Sequence, residues 1–94
     1  MEKIIIKEAL DAILKGYNRL DGGQYVALLN QYQFLRESCE RNTGNRAMIA
    51  DHDADGVRAV TGFMFEAHMI TREQREKLWA MVDSIRDENK EARA

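Results

Sequence analysis

The sequence predicts an all-α fold, a small bundle of four antiparallel helices (three to five at the extremes) joined by short loops. Three observations carry this. The chain has no proline, so no position lacks a backbone N–H or clashes with the preceding helical turn. Apolar residues recur at three- and four-residue steps in four separate stretches, the period of an amphipathic helix. Strand-like alternation is scarce, while strong helix formers (Ala, Leu, Glu, Lys, Arg, Gln, Met) are abundant. A chain of 94 residues makes one domain, assigned here to residues 1–88, with residues 89–94 a charged tail that frays. A chain this short buries roughly 60–65% of its unfolded surface, which allows one modest core.

The first helix is expected over residues 3–19. Ile6, Ala9, Leu10, Ile13, Tyr17 and Leu20 form its stripe, and Asp21-Gly22-Gly23 is read as its end, because glycine relieves the left-handed position there. The second is expected over residues 24–41. Tyr25, Leu28, Leu29, Tyr32, Leu35 and Cys39 share a stripe, Val26 and Phe34 fall outside it, and Asn30, Gln33, Glu37 and Glu40 face water. Asn42-Thr43-Gly44-Asn45 is a breaker cluster. The third helix begins near Arg46 or restarts at Asp53. One face carries Val57, Val60, Phe63, Met64 and Ala67, a second carries Phe65 and Met69, and Ala59 and Gly62 allow close approach of a neighbour. The fourth opens on Thr71-Arg72-Glu73-Gln74, the form of a capping box, and presents Leu78, Met81, Val82 and Ile85 with Trp79 alongside.

Composition narrows the function classes. Charged residues are 32% and hydrophobic residues 45%, ordinary for a globular protein and wrong for disorder. A net charge of −2 disfavours a nucleic-acid binder, whose footprint is a basic face. Cys39 is the single cysteine, so an intrachain disulfide and a thiol-rich zinc site are excluded. A lone thiol on an apolar stripe is read as core. The opening MEKIIIKEALDAILK has the wrong pattern for a signal peptide, and no run approaches the ~18 apolar residues of a membrane span. A cytoplasmic protein without membrane contact is expected. Ser38 and Ser84 stand in no nucleophile motif, and there is no phosphate-cradling glycine loop.

The sharpest local signal is Asp51-His52-Asp53-Ala54-Asp55-Gly56. Asp51, Asp53, Asp55 and Gly56 match the opening of a calcium loop, but Gly62 stands where the bidentate acid belongs. The string MIADHDADGVRAVTG, residues 48–62, resembles the first motif of the DHH-family phosphoesterases. That resemblance implies an apolar strand, an aspartate turn and a helix, with Asp51, Asp53 and Asp55 as Mn²⁺ ligands for phosphodiester hydrolysis. The family's later motifs, including its Asp-His-His triplet, have no counterpart in the chain. The third reading is structural. Aspartates opening a helix cap free N–H groups and complement its positive end. On that reading no catalytic, cofactor or metal residue is assigned, and the protein is not an enzyme. His68 is read as complementing the negative end of the third helix.

The third and fourth helices also have the order of a helix-turn-helix, with Arg72 and Arg75 placed to contact nucleic acid, although Glu73 and Glu76 stand among them. The large side chains Tyr25, Tyr32, Phe34, Phe65 and Met69 exceed what narrow stripes hide. Phe65, Met69, Tyr32, Phe34 and Trp79 are therefore the expected partner interface. The last third, residues 62–85 (GFMFEAHMITREQREKLWAMVDSI), resembles a helical hairpin of small accessory proteins of tailed phages and prophages. That resemblance implies a non-enzymatic protein that binds and inhibits or modulates a host protein, such as a nuclease or a defence complex. The leading expectation is thus a helical protein-binding module acting on a host protein or on itself as a homodimer. The alternatives are a DNA-binding regulator and a divalent-metal phosphoesterase.

Overall fold

The computed structural model describes residues 3–41 and 46–90. Four helices follow in order: α1 Ile6–Leu14, α2 Gly22–Arg41, α3 Arg46–Glu66 and α4 Arg72–Lys90. Among the described residues there is no strand, and no helix is long and apolar enough to cross a membrane. The breaker cluster at residues 42–45 and the tail at residues 91–94 lie outside the described residues.

Side-chain pairs give the helix directions. Ser38 of α2 meets Asp53 of α3, while Arg58, Thr61 and Asp51 of α3 meet Asp83, Trp79 and Arg86 of α4. α3 therefore runs antiparallel to both neighbours, and α2 and α4 run parallel. α1 packs on α2 and α4; among the described residues it makes no contact with α3. The result is an up-down-up-down bundle of 39 × 24 × 21 Å. Its core runs through Leu10, Leu28, Leu35, Val57, Leu78, Val82 and Ile85, all at most 1% exposed.

α1 is shorter than its periodicity predicts. The chain leaves the helix at Lys15, which is extended at φ −62° and ψ 134°, and Gly16 follows at φ +92°, a left-handed backbone that glycine reaches without a Cβ clash. Residues 17–20 then turn back onto the α3–α4 connection. Arg19 N donates to Met69 O at 2.8 Å, the Tyr17 hydroxyl to His68 O at 2.9 Å, and Gln74 Nε2 to Tyr17 O at 2.5 Å. Asp21-Gly22-Gly23 proves to be a helix start. Gln24 N donates to Asp21 Oδ1 at 2.7 Å, and Asp21 N donates back to Gln24 Oε1 at 3.0 Å. This is a reciprocal capping box, and it opens α2 at Gly22. The expected box at Thr71 forms as well: Gln74 N donates to Thr71 Oγ1 and Thr71 N to Gln74 Oε1, at 3.1 and 2.8 Å.

α3 is one unbroken helix from Arg46. Its buried line is Ala50, Ala54, Val57, Thr61 and Met64, stepped by three and four. Phe63 and Ala67, expected on the core face, are exposed instead. Thr61 takes the core position, its hydroxyl satisfied by donating to Val57 O at 2.8 Å. Phe63 is then carried roughly 160° round the helix, out to solvent. Tyr32 is likewise corrected. It was expected at a partner interface and is fully buried between α2 and α4, where its hydroxyl donates to Leu78 O at 2.6 Å. Burial there pushes its phenol pKa up.

The end of α4 is held by charge, not by an apolar face. Glu88, 4% exposed at its side chain, accepts from Ile4 N at 2.7 Å and pairs with Arg36 at 3.0 Å. Arg36 in turn donates to Ile4 O at 2.6 Å. The helix runs on to Lys90, through two of the residues assigned to the frayed tail.

Candidate functional site

The acidic stretch does not form a site. Residues 51–56 lie inside α3, beyond its first turn, so the aspartates cannot cap it. The strand and turn that the phosphoesterase resemblance implies are absent for the same reason. Alternate residues of a helix point about 200° apart, so Asp53 diverges from Asp51 and Asp55. Each has its own local partner. Asp51 pairs with Arg86, Asp53 accepts from Ser38 Oγ at 2.6 Å, and Asp55 lies 3.7 Å from Arg58. Among the described residues no three His, Cys, Asp or Glu side chains converge on a point where a cation could sit. Cys39 lies in the core at 2% exposure.

The helix-turn-helix reading loses its geometry too. In that motif the two helices cross at about 90–120°. Here α3 and α4 stay paired side by side from the Phe65–Arg75 contact to the Asp51–Arg86 ion pair.

The α3–α4 face nevertheless gathers four of the residues singled out from sequence. Arg72, Arg75 and Trp79 stand at three- and four-residue steps on α4, so they share one side of it. Phe65, in the last turn of α3, lies opposite. The Arg75 guanidinium carbon is 4.6 Å from the centroid of the Phe65 ring and 4.6 Å from that of Trp79. Arg72 approaches the same phenyl ring at 5.9 Å. These are cation–π distances. Trp79 is fixed by donating its Nε1–H to Thr61 Oγ1 at 2.7 Å. Gly62 lies beside the indole, where a Cβ would make ordinary contact at 3.9 Å.

The charges on this face are unevenly satisfied. Toward its far end, Arg58 pairs with Asp83 at 2.9 Å and Arg86 pairs with Asp51. Arg72 and Arg75 have no carboxylate partner among the described residues. Glu73, the acid nearest Arg72 in the chain, is engaged by Lys77 at 3.1 Å. Arg75 Nε is buried without a hydrogen-bond partner. Met69 packs against the core beside the cluster, where its N–H closes the end of α3.

A second surface lies on the α2–α3 side. Phe34 of α2 is 60% exposed, and Phe63 of α3 is 68% exposed. Phe34 borders a shallow pocket of about 230 Å³ with Gln31, His52, Asp53 and Gly56. A Cβ on Gly56 would meet nothing within 4 Å. Phe63 stands two turns further along the same stripe of α3, about 10 Å away, with exposed Ala59 between. Another groove, about 460 Å³ between residues 3–7 and α2, is bordered by Lys3, Lys7 and Arg36, which are already paired with Glu40, Asp11 and Glu88.

No family model, curated protein or solved structure matches the chain. Sequence reasoning selected Phe34, Phe65, Trp79, Arg72 and Arg75, and it missed Phe63. The one signal for Phe63 was its phase. Counting back from Met64 in steps of three and four through Thr61 and Val57 leaves Phe63 outside the buried line.

Proposed function

We propose that this protein is a non-catalytic binding module that docks another protein through the α2–α3 face carrying Phe34 and Phe63. The observation behind this reading is the exposure of two phenylalanines, 60% and 68%, on one face with glycine and alanine between them. Aromatic side chains are enriched at the centres of protein interfaces and depleted from idle surface. Small residues between them give a partner side chain access to the backbone. The resemblance of residues 62–85 to phage accessory proteins suggests a host protein as the partner, bound so as to inhibit or modulate it. A second copy of the chain, giving a homodimer, would use the same face.

The test is a Phe34→Ser, Phe63→Ser double variant. Light scattering across protein concentration reads self-association, and affinity capture with a quantified partner reads the heteromeric case. Losing two interface aromatics should cost roughly 2 kcal/mol or more of binding, about thirtyfold in Kd. If the double variant associates as the parent does, or if the parent stays monomeric and captures nothing that the variant fails to capture, the reading is wrong.

A further inference from the structure

We propose that Arg72 and Arg75, on their Phe65–Trp79 platform, form a carboxylate-binding site that takes a Glu- or Asp-rich segment of a protein partner. The inference rests on the protein-binding reading but places the acidic contact on a different face. Two guanidinium groups gather over one phenyl ring, at 4.6 and 5.9 Å, with no anion between them among the described residues. Like charges brought together in this way repel, and a bound carboxylate relieves that repulsion. Two rings, Phe65 and Trp79, each lie 4.6 Å from the Arg75 guanidinium carbon and restrain it, so less rotamer freedom is left to lose on binding. Arg75 is half-buried with its Nε sealed from solvent, while Arg72 is exposed. A restrained guanidinium beside a second, exposed one suits the two oxygens of a carboxylate.

Charge extends the patch at this end of the bundle. The segment docked onto the α3–α4 connection brings Arg19, which also has no ion-pair partner among the described residues. By contrast, Arg36, Arg58 and Arg86 elsewhere in the bundle are all paired. A nucleic-acid strand fits less well. Binding a phosphate backbone needs a run of cations along its track. Here Glu73 and Glu76 interrupt the basic residues of α4, and the chain carries a net charge of −2.

Trp79 is the only tryptophan, so its fluorescence reports this site alone. The experiment titrates the full chain at low salt with a short polyglutamate peptide, in parallel with a single-stranded oligonucleotide of similar charge. The expected result is a saturable change in Trp79 emission with the peptide, weakened by added salt. Arg72→Gln and Arg75→Gln should each weaken it roughly tenfold, the effect of losing one charge-assisted hydrogen-bond pair. Circular dichroism checks that both variants keep the parent's helicity. Arg72 is exposed, so its variant keeps the test valid even if Arg75→Gln unfolds. The Phe34→Ser, Phe63→Ser variant should bind the peptide as the parent does, which separates this site from the docking face. The proposal is overturned if the peptide leaves the emission unchanged, if Arg72→Gln binds it as tightly as the parent, or if the oligonucleotide binds more tightly than the peptide.

Discussion

His68 holds the end of α3 in a conformation that its side chain does not favour. Its φ is +60°, the left-handed region that L-residues other than glycine and asparagine occupy at a cost. His68 N donates to Phe65 O at 2.9 Å and Met69 N to Met64 O at 2.8 Å. These are the two bonds of a Schellman motif, whose left-handed position is usually glycine. The strain is tolerated because the Tyr17 hydroxyl and Arg19 N hold the neighbouring carbonyls of His68 and Met69. Both contacts are to main chain, so glycine would keep them. His68→Gly should therefore stabilise the fold by about 0.5–1 kcal/mol. In a domain of this size that raises the thermal midpoint by roughly 2–8 °C, measurable by circular dichroism.

Two capping boxes of one chemistry start α2 and α4, yet only one was legible. Thr71-Arg72-Glu73-Gln74 stood before an apolar stripe and read plainly as a start. Asp21-Gly22-Gly23-Gln24 has the same polar ends, but its glycines carried the stronger stop signal. The real break is the pair Lys15-Gly16, an extended residue and then a left-handed one, which no periodicity reveals. Helix number and order were legible because apolar residues at three- and four-residue steps need a shared core. The phase of α3 was legible only by counting through Thr61, and a threonine reads as a core residue only once its hydroxyl is satisfied within the helix. The Arg–aromatic cluster was half legible: its members were singled out, but their meeting depends on the register of α3 against α4. The box at Thr71 also positions Gln74, whose amide holds Tyr17 O. Replacing Thr71 with alanine should cost about 1 kcal/mol, seen as a lower urea midpoint with an unchanged m-value.

At the scale of the whole bundle, α1 is the least supported element, since it has nine residues with which to pack on α2 and α4 and the other three helices have 19 to 21. Exposed contacts such as Lys7–Asp11, at 2.8 Å, and Tyr25–Asp11 add little. The Arg36–Glu88 pair is different, because both side chains are mostly withdrawn from water, 19% and 4% exposed. Removing one partner leaves the other charge buried without compensation. Glu88→Ala should therefore cost about 3 kcal/mol, read from urea denaturation.

The same residue bears on the order in which the molecule assembles. Glu88 and Ile4 are separated by 84 positions in the chain, so their hydrogen bond closes nearly the whole polypeptide into a ring. The α2–α3 and α3–α4 hairpins join chain neighbours and close only short loops, which places them early on the folding path. On this ground the ring is expected to close last, after the rate-limiting step. Glu88→Ala should then fold at close to the parent's rate and lose its stability almost wholly through faster unfolding.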